Sequence, residues 1–328
     1  MKLNPIGKTD VRVTEVSFGC ASIGNLYQAV PETQVQDVIA AAWDAGIRYF
    51  DTAPHYGRGL SEQRLGSALS TKPREAFVLS TKVGRVLSPG KPMAQADGFL
   101  EPLPNDVRYD YSGDGIEASL ETSMERLGTT TIDIAFVHDL GRYTHGAAND
   151  AHMEDFLGSG HERLVRLKEK GRIRAFGLGV NENEVCIEVM AQERIDVILL
   201  AGRLTLLDRS AEDRLTDMCR EQDTSLILGG VFNSGILATG PTQDATYDYA
   251  PASPEVRSQV TRLQAAARSL EIPLATAALL FAHQHELAAS VLMGTAKAST
   301  LKRNLMALKT PPPDGFGEIF RNSKPAHI

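Results

Sequence analysis

The chain has 328 residues, 42% of them hydrophobic and 23% charged, a composition that excludes a disordered protein and accommodates one large α/β domain or two smaller ones. A net charge of −7 without any dense Lys/Arg cluster argues against a nucleic-acid partner, and no uninterrupted apolar run approaches the roughly 18 residues of a membrane span. Three scattered cysteines (Cys20, Cys186, Cys219) indicate neither a disulfide framework nor a metal site, so a cytoplasmic protein with a small-molecule partner is expected.

Residues 3–13 read as a hairpin turning at Gly7-Lys8-Thr9-Asp10, a plug or cap placed before the main domain. Val16-Ser-Phe-Gly-Cys20 is a first strand, and residues 32–45 form a helix with apolar positions 35, 38, 39, 42 and 43. A second strand runs into Asp51, with Tyr56 five residues later. A helix capped by Ser61 reaches Leu69, the strand Ala76–Lys82 follows, and residues 85–111 are a long connection containing Pro and Gly. Next come a helix over 116–127, a strand from Ile132 into His138 and a second long loop at 140–158; irregular connections of that size are usually functional.

The remainder alternates: helix 162–170, strand 174–180, helix 182–192, strand 196–201, helix 210–222, strand 225–230, helices 254–270 and 274–285, strand 289–293 and helix 299–308. Counted from Val16, eight strand-then-helix units without a linker predict one closed (β/α)8 TIM barrel with an N-terminal β-hairpin over residues 1–328. A doubly wound open sheet is the alternative.

A barrel of this kind carries its active site where the strands stop. Asp51, Lys82 and His138 end the second, third and fourth strands, and Tyr56 follows the second. An ammonium beside a phenol favours the phenolate, so Lys82 is expected to lower the pKa of Tyr56, with Asp51 orienting Lys82 and His138 bonding a substrate oxygen. That is acid–base machinery suited to moving a proton while a cofactor moves a hydride. Gly177-Leu-Gly-Val-Asn181 fails as a dinucleotide fingerprint because Glu182 stands where a further Gly is needed. The Gly-rich stretches 229–235 and 294–300, after the last two strands, are better candidates for an anion. His145, His152 and His161 read as solvated loop histidines and His283 and His285 as diverging helix residues, so no metal is expected.

Asp51-Thr-Ala-Pro-His-Tyr56-Gly57, Leu60-Ser-Glu62, Ser80-Thr-Lys82-Val-Gly84, Asp133-Ile-Ala-Phe-Val-His138 and Gly294-Thr with Asn304-Leu305 together resemble the aldo-keto reductase family over residues 3–308. The resemblance implies NAD(P) bound without a Rossmann fold and Asp51, Tyr56, Lys82 and His138 as the catalytic tetrad. It implies that Asn181 holds the nicotinamide carboxamide, and that Phe232, Asn233, Ser234, Gly235, Leu237, Gly294, Thr295, Lys297, Thr300 and Asn304 wrap the rest of the cofactor. Arg203 and Phe232 stand in for a Gln and an aromatic whose usual places hold Ala201 and Gly229. Ala296 at a position often basic favours NAD, with NADP possible. Residues 177–182, 200–208 and 230–237 are similar to members that oxidise C1 of aldoses such as L-fucose, with pyridoxal dehydrogenases as the runner-up and a cofactor-binding sensor or channel subunit as a non-enzymatic alternative. His55 and Asp139, with Arg142 and Asn149 nearby, are the expected substrate residues.

Overall fold

A computed structural model describes residues 1–321; the last seven, which the single-domain expectation included, lie outside the described residues. Eight parallel strands close into a barrel in chain order. They are β1 (Val16–Gly19), β2 (Tyr49–Asp51), β3 (Val78–Val83), β4 (Ile132–His138), β5 (Ile173–Val180), β6 (Val197–Ala201), β7 (Ser225–Gly229) and β8 (Ala288–Gly294). Hydrogen bonding of β3 to β4 and of β8 to β1 completes the ring.

Side chains alternate along each strand, so residues of one parity share the interior. Tyr49, Val78, Ile134, Phe136, Val197, Leu199 and Ile227 form one buried apolar cluster with Ile6, Val11 and Val13. The last three belong to the N-terminal hairpin (Leu3–Pro5 paired with Arg12–Thr14), which closes the N-terminal end of the barrel as a plug. The same interior parity carries Asp51, Lys82 and His138 to the opposite end. Asp51 pairs with Ser80, Lys82 sits two residues above Ser80, Phe136 pairs with Lys82, and His138 lies two above Phe136.

Two connections differ from expectation. Residues 85–111 are not an irregular loop: Arg85–Pro89 pairs antiparallel with Asn105–Tyr109, and Gln95–Ala96 pairs with Phe99–Leu100 at the tip. Residues 140–158 contain short helices at Arg142–His145 and Asn149–Asp155. The helix expected from 116 begins at Gly113, because the Ser112 side chain accepts from the Gly115 N–H and caps it. A last helix, Phe316–Arg321, follows the last expected helix (299–308) and buries Phe316 and Phe320. Among the described residues no single helix is long and apolar enough to cross a membrane.

Candidate active site

At the C-terminal end of the strands, Lys82 is buried and its Nζ donates to Asp51 Oδ2 at 2.7 Å and to the Thr52 carbonyl at 2.9 Å. Asp51 Oδ1 accepts from Ser80 Oγ at 2.7 Å, and Ser80 in turn accepts from the Tyr49 hydroxyl. Burial penalises the Lys82 ammonium, but the Asp51 carboxylate and the Tyr56 oxygen outweigh it, and Lys82 is held charged above its ordinary range. Gly179 makes room for this side chain: a Cβ there would stand 3.2 Å from Phe136 Cβ and 3.4 Å from Lys82 Cε.

The Lys82 Nζ lies 4.7 Å from the centre of the Tyr56 ring. Lys82 pulls the Tyr56 pKa down as expected from the sequence, yet burial pushes harder and the net displacement is upward. Phe99, from the tip of the 85–111 hairpin, packs 5.3 Å from His55 and 6.1 Å from Tyr56 between ring centres, roofing the site. His138 is buried and neutral, its pKa driven well below the ordinary value first by burial and then by Arg85 and Lys82. Its Nε2 faces Asp139 Oδ2 at 3.4 Å, and its Nδ1 is buried without a hydrogen-bond partner.

A cavity of about 410 Å³ opens above these groups, lined by His55, Tyr56, Lys82, His138, Asp139 and Asn181 together with Phe99, Tyr143 and Tyr249. Asp139 is the hub of its polar wall. Its backbone is left-handed (φ 49°), and its carboxylate accepts from Arg85 Nη2 and, at 3.3 Å, from Asn181 Nδ2. Burial raises its pKa, while Arg85 and Lys82 pull it back. Arg142 and Asn149 stand apart from this cavity: Arg142 pairs with Asp150, and Asn149 is buried in a short helix.

Several side chains expected at a cofactor are committed elsewhere. Arg203 donates to the Asn181 carbonyl at 2.6 Å, to Asp208 at 3.2 Å and to both oxygens of Asp248 at 3.0 Å, so its guanidinium fixes loops instead of standing free. Leu237 is fully buried in a second apolar cluster, and Phe232 packs against that cluster and the main core. Asn233 is locked to Thr205 and to the Gly202 carbonyl. Ser234 is exposed and accepts from the Tyr249 N–H. The histidine expectations also change. His161 is buried against the Arg194 carbonyl and Glu193, whereas the His145 and His152 rings lie 4.4 Å apart at a tilt of 60°, with His145 bonded to the Tyr111 hydroxyl. Among the described residues no three His, Cys, Asp or Glu side chains converge as a metal site.

The segment after β8 is differently disposed. The helix Ala298–Lys309 starts without any side-chain cap, which leaves its first N–H groups to an anion. Gly294 and Lys297 are exposed, Thr295, Thr300 and Asn304 half-buried, and a Cβ at Gly294 would meet nothing nearer than 3.6 Å. These residues fit the phosphate-bearing part of a dinucleotide. Sequence reading missed Arg85, Asp248 and Tyr249; Arg85 follows the turn at Gly84 just beyond β3, where a polar residue after a barrel strand was a readable signal.

A closed parallel barrel with a buried Lys–Asp pair beneath a Tyr at its C-terminal mouth defines a barrel oxidoreductase. The chain belongs to the aldo/keto reductase family, whose model matches residues 15–316. It is similar to pyridoxal 4-dehydrogenase of Microbacterium luteolum, 36% identical over 97% of this chain and 96% of the relative. It is also similar to D-threo-aldose 1-dehydrogenase of a Pseudomonas species, 37% identical over 89% of this chain and 88% of that one. Among solved structures, the holo form of the aldo-keto reductase AKR11C1 from Bacillus halodurans superposes with a TM-score of 0.78 over 100% of this chain and 98% of its own, at 24% identity, a likeness of fold.

Proposed function

We propose that this enzyme oxidises C1 of a cyclic aldose, L-fucose or another D-threo sugar, to the lactone, with NAD at least as effective as NADP. The observation that carries the reading is the Lys82–Asp51 pair at 2.7 Å beneath Tyr56, opening on a cavity whose wall offers His55 and Asp139 to substrate hydroxyls. Bound nicotinamide supplies the hydride acceptor. Tyr56 as phenolate takes the anomeric hydroxyl proton, Lys82 stabilises that phenolate, and Asp51 holds Lys82 charged and aimed. His138, neutral, donates from Nε2 to the substrate oxygen. Asn181 holds the carboxamide, and the uncapped helix after Gly294, with Thr295, Lys297, Thr300 and Asn304, holds phosphate and adenosine. The preference for NAD rests on Ala296, buried and apolar, and on Lys297, a point charge without the fork that grips a 2′-phosphate.

A second reading, oxidation of pyridoxal through its cyclic hemiacetal, is favoured by Phe99, Tyr143 and Tyr249 around the cavity, which suit a flat aromatic ring. The test is a screen of L-fucose, D-arabinose, L-galactose and pyridoxal with NAD and NADP, following nicotinamide absorbance. A sugar with the highest kcat/KM is expected. A kcat/KM for pyridoxal well above every sugar overturns the aldose assignment, NADP favoured by more than about tenfold overturns the cofactor preference, and no turnover at all points to the sensor class.

A further inference from the structure

Arg85 carries a charge into a place where a charge is expensive. It is only 5% exposed, and its Nε is buried with no partner. Burying a guanidinium costs several kcal/mol unless its donors are well used. The chain builds this position deliberately. Gly84 turns at φ 96°, where a Cβ would lie 2.5 Å from the Tyr111 ring, and Ser119 Oγ pins the Arg85 carbonyl at 3.0 Å. The guanidinium then reaches across the end of β3 to two cavity residues at once, His55 Nδ1 at 2.7 Å through Nη1 and Asp139 Oδ2 through Nη2.

The first contact decides a proton. A guanidinium has donors only, so His55 Nδ1 accepts, and the ring proton belongs on Nε2. Every charged neighbour that bears on His55 is a cation: Arg85, Lys82 from β3, and Arg58 from its own loop. The rings packed on it, Tyr56, Phe99 and His138, offer no compensating anion. Burial and then these cations hold its pKa down at about 3. Its side chain lines the cavity, and Nε2–H is the polar atom left for a ligand. The second contact keeps an acceptor in place. Asp139 receives Arg85 and Asn181, and a carboxylate with about four lone-pair sites still has room for a substrate hydroxyl.

We infer that Arg85 is a positioning residue that locks His55 as a fixed Nε2–H donor and Asp139 as a fixed acceptor, so that the pair reads two hydroxyl groups of a polyol substrate. The hydroxyl-reading part rests on the aldose reading above; the lock does not. Lysine cannot replace the arginine, because one ammonium on a flexible stem does not hold two diverging acceptors in a fixed fork. A residue that merely tied the 85–109 hairpin to the barrel would affect folding but not the His55 tautomer.

The experiment uses full-length protein labelled with 15N-histidine, with the His55 signals assigned by their loss in His55→Gln. In the wild type, Nδ1 should appear unprotonated and Nε2 protonated, unchanged from about pH 5 to pH 8. An Nδ1–H tautomer, or titration within that window, overturns the lock without needing any variant to fold. In Arg85→Met, Nδ1 loses its donor, so the Nδ1–H tautomer of His55 should become populated beside Nε2–H, and KM for L-fucose should rise about tenfold or more with a smaller change in kcat. Arg85→Lys should not restore the wild-type KM. An unchanged KM in both variants overturns the hydroxyl-reading role. A locked tautomer in a protein that turns over pyridoxal but no sugar sinks the aldose reading while the lock stands.

Discussion

Asp133 and Asp139 bracket β4 at opposite ends of the barrel, six residues apart, and both carboxylates are held by arginine. At the closed end, Asp133 accepts from Arg74 at 2.7 Å, from Arg174 at 2.8 Å and from the Leu79 N–H at 2.8 Å. Both of those arginines reach solvent, and the plug of Ile6, Val11 and Val13 seals the interior above. At the open end, Asp139 is held by a buried arginine, faces His138 and lines a cavity. Unpartnered buried atoms, His138 Nδ1 and Arg85 Nε, gather beside it. The contrast teaches that the residue types do not distinguish structure from chemistry. What distinguishes them is whether the group and its partners open on solvent or on a cavity.

If the ends divide in this way, substitutions at the open end should cost activity and those at the closed end stability. The largest effect is expected for Tyr56→Phe: kcat lower by roughly two to four orders of magnitude, with NAD binding and the unfolding midpoint nearly intact, read by steady-state kinetics and cofactor fluorescence. Next, Ile6→Ala should remove about 2–5 kcal/mol of stability in urea unfolding while kcat/KM stays within about twofold, because the plug closes the end of the barrel opposite the site. Asp139→Asn keeps the shape and removes the charge; kcat/KM for the preferred sugar should fall about tenfold to a hundredfold. Asp133→Asn should weaken two ion pairs whose arginines are 32% and 40% exposed, costing about 1–2 kcal/mol of stability and no activity. Loss of catalysis in either closed-end variant without loss of stability would break the division.

The barrel and the convergence of Asp51, Tyr56, Lys82 and His138 were legible because their signals are local. Asp51, Lys82 and His138 each end an apolar strand on the interior parity, and neighbouring parallel strands bring such ends together. Gly177 is a packing requirement, since a Cβ there would sit 1.6 Å from the Val197 carbonyl oxygen. What escaped was set by contacts distant in sequence. Arg85 depends on His55 and Asp139, thirty and fifty-four positions away, and Arg203 meets Asp248 forty-five positions on. The 85–111 connection was unreadable as strands because its pairing is across a long hairpin interrupted by proline and glycine. The direction of the Tyr56 displacement was misjudged for a related reason, since Lys82 is visible in sequence and the burial that outweighs it is not.

That last point yields the most direct measurement, the pH dependence of kcat/KM for L-fucose oxidation by NAD. In the proposed oxidation Tyr56 is the base, and burial lifts its pKa above the ordinary phenol value, so the phenolate fraction grows with pH throughout the range below about 10. His55 and His138 are held neutral, both pushed well below the ordinary imidazole value by burial and neighbouring cations, and add no acid limb near neutrality. The account predicts a logarithmic rate that climbs by close to one unit per pH unit from about pH 6 to pH 9 without levelling. A plateau reached near neutral pH, or a rate that falls as pH rises, would contradict Tyr56 as the base.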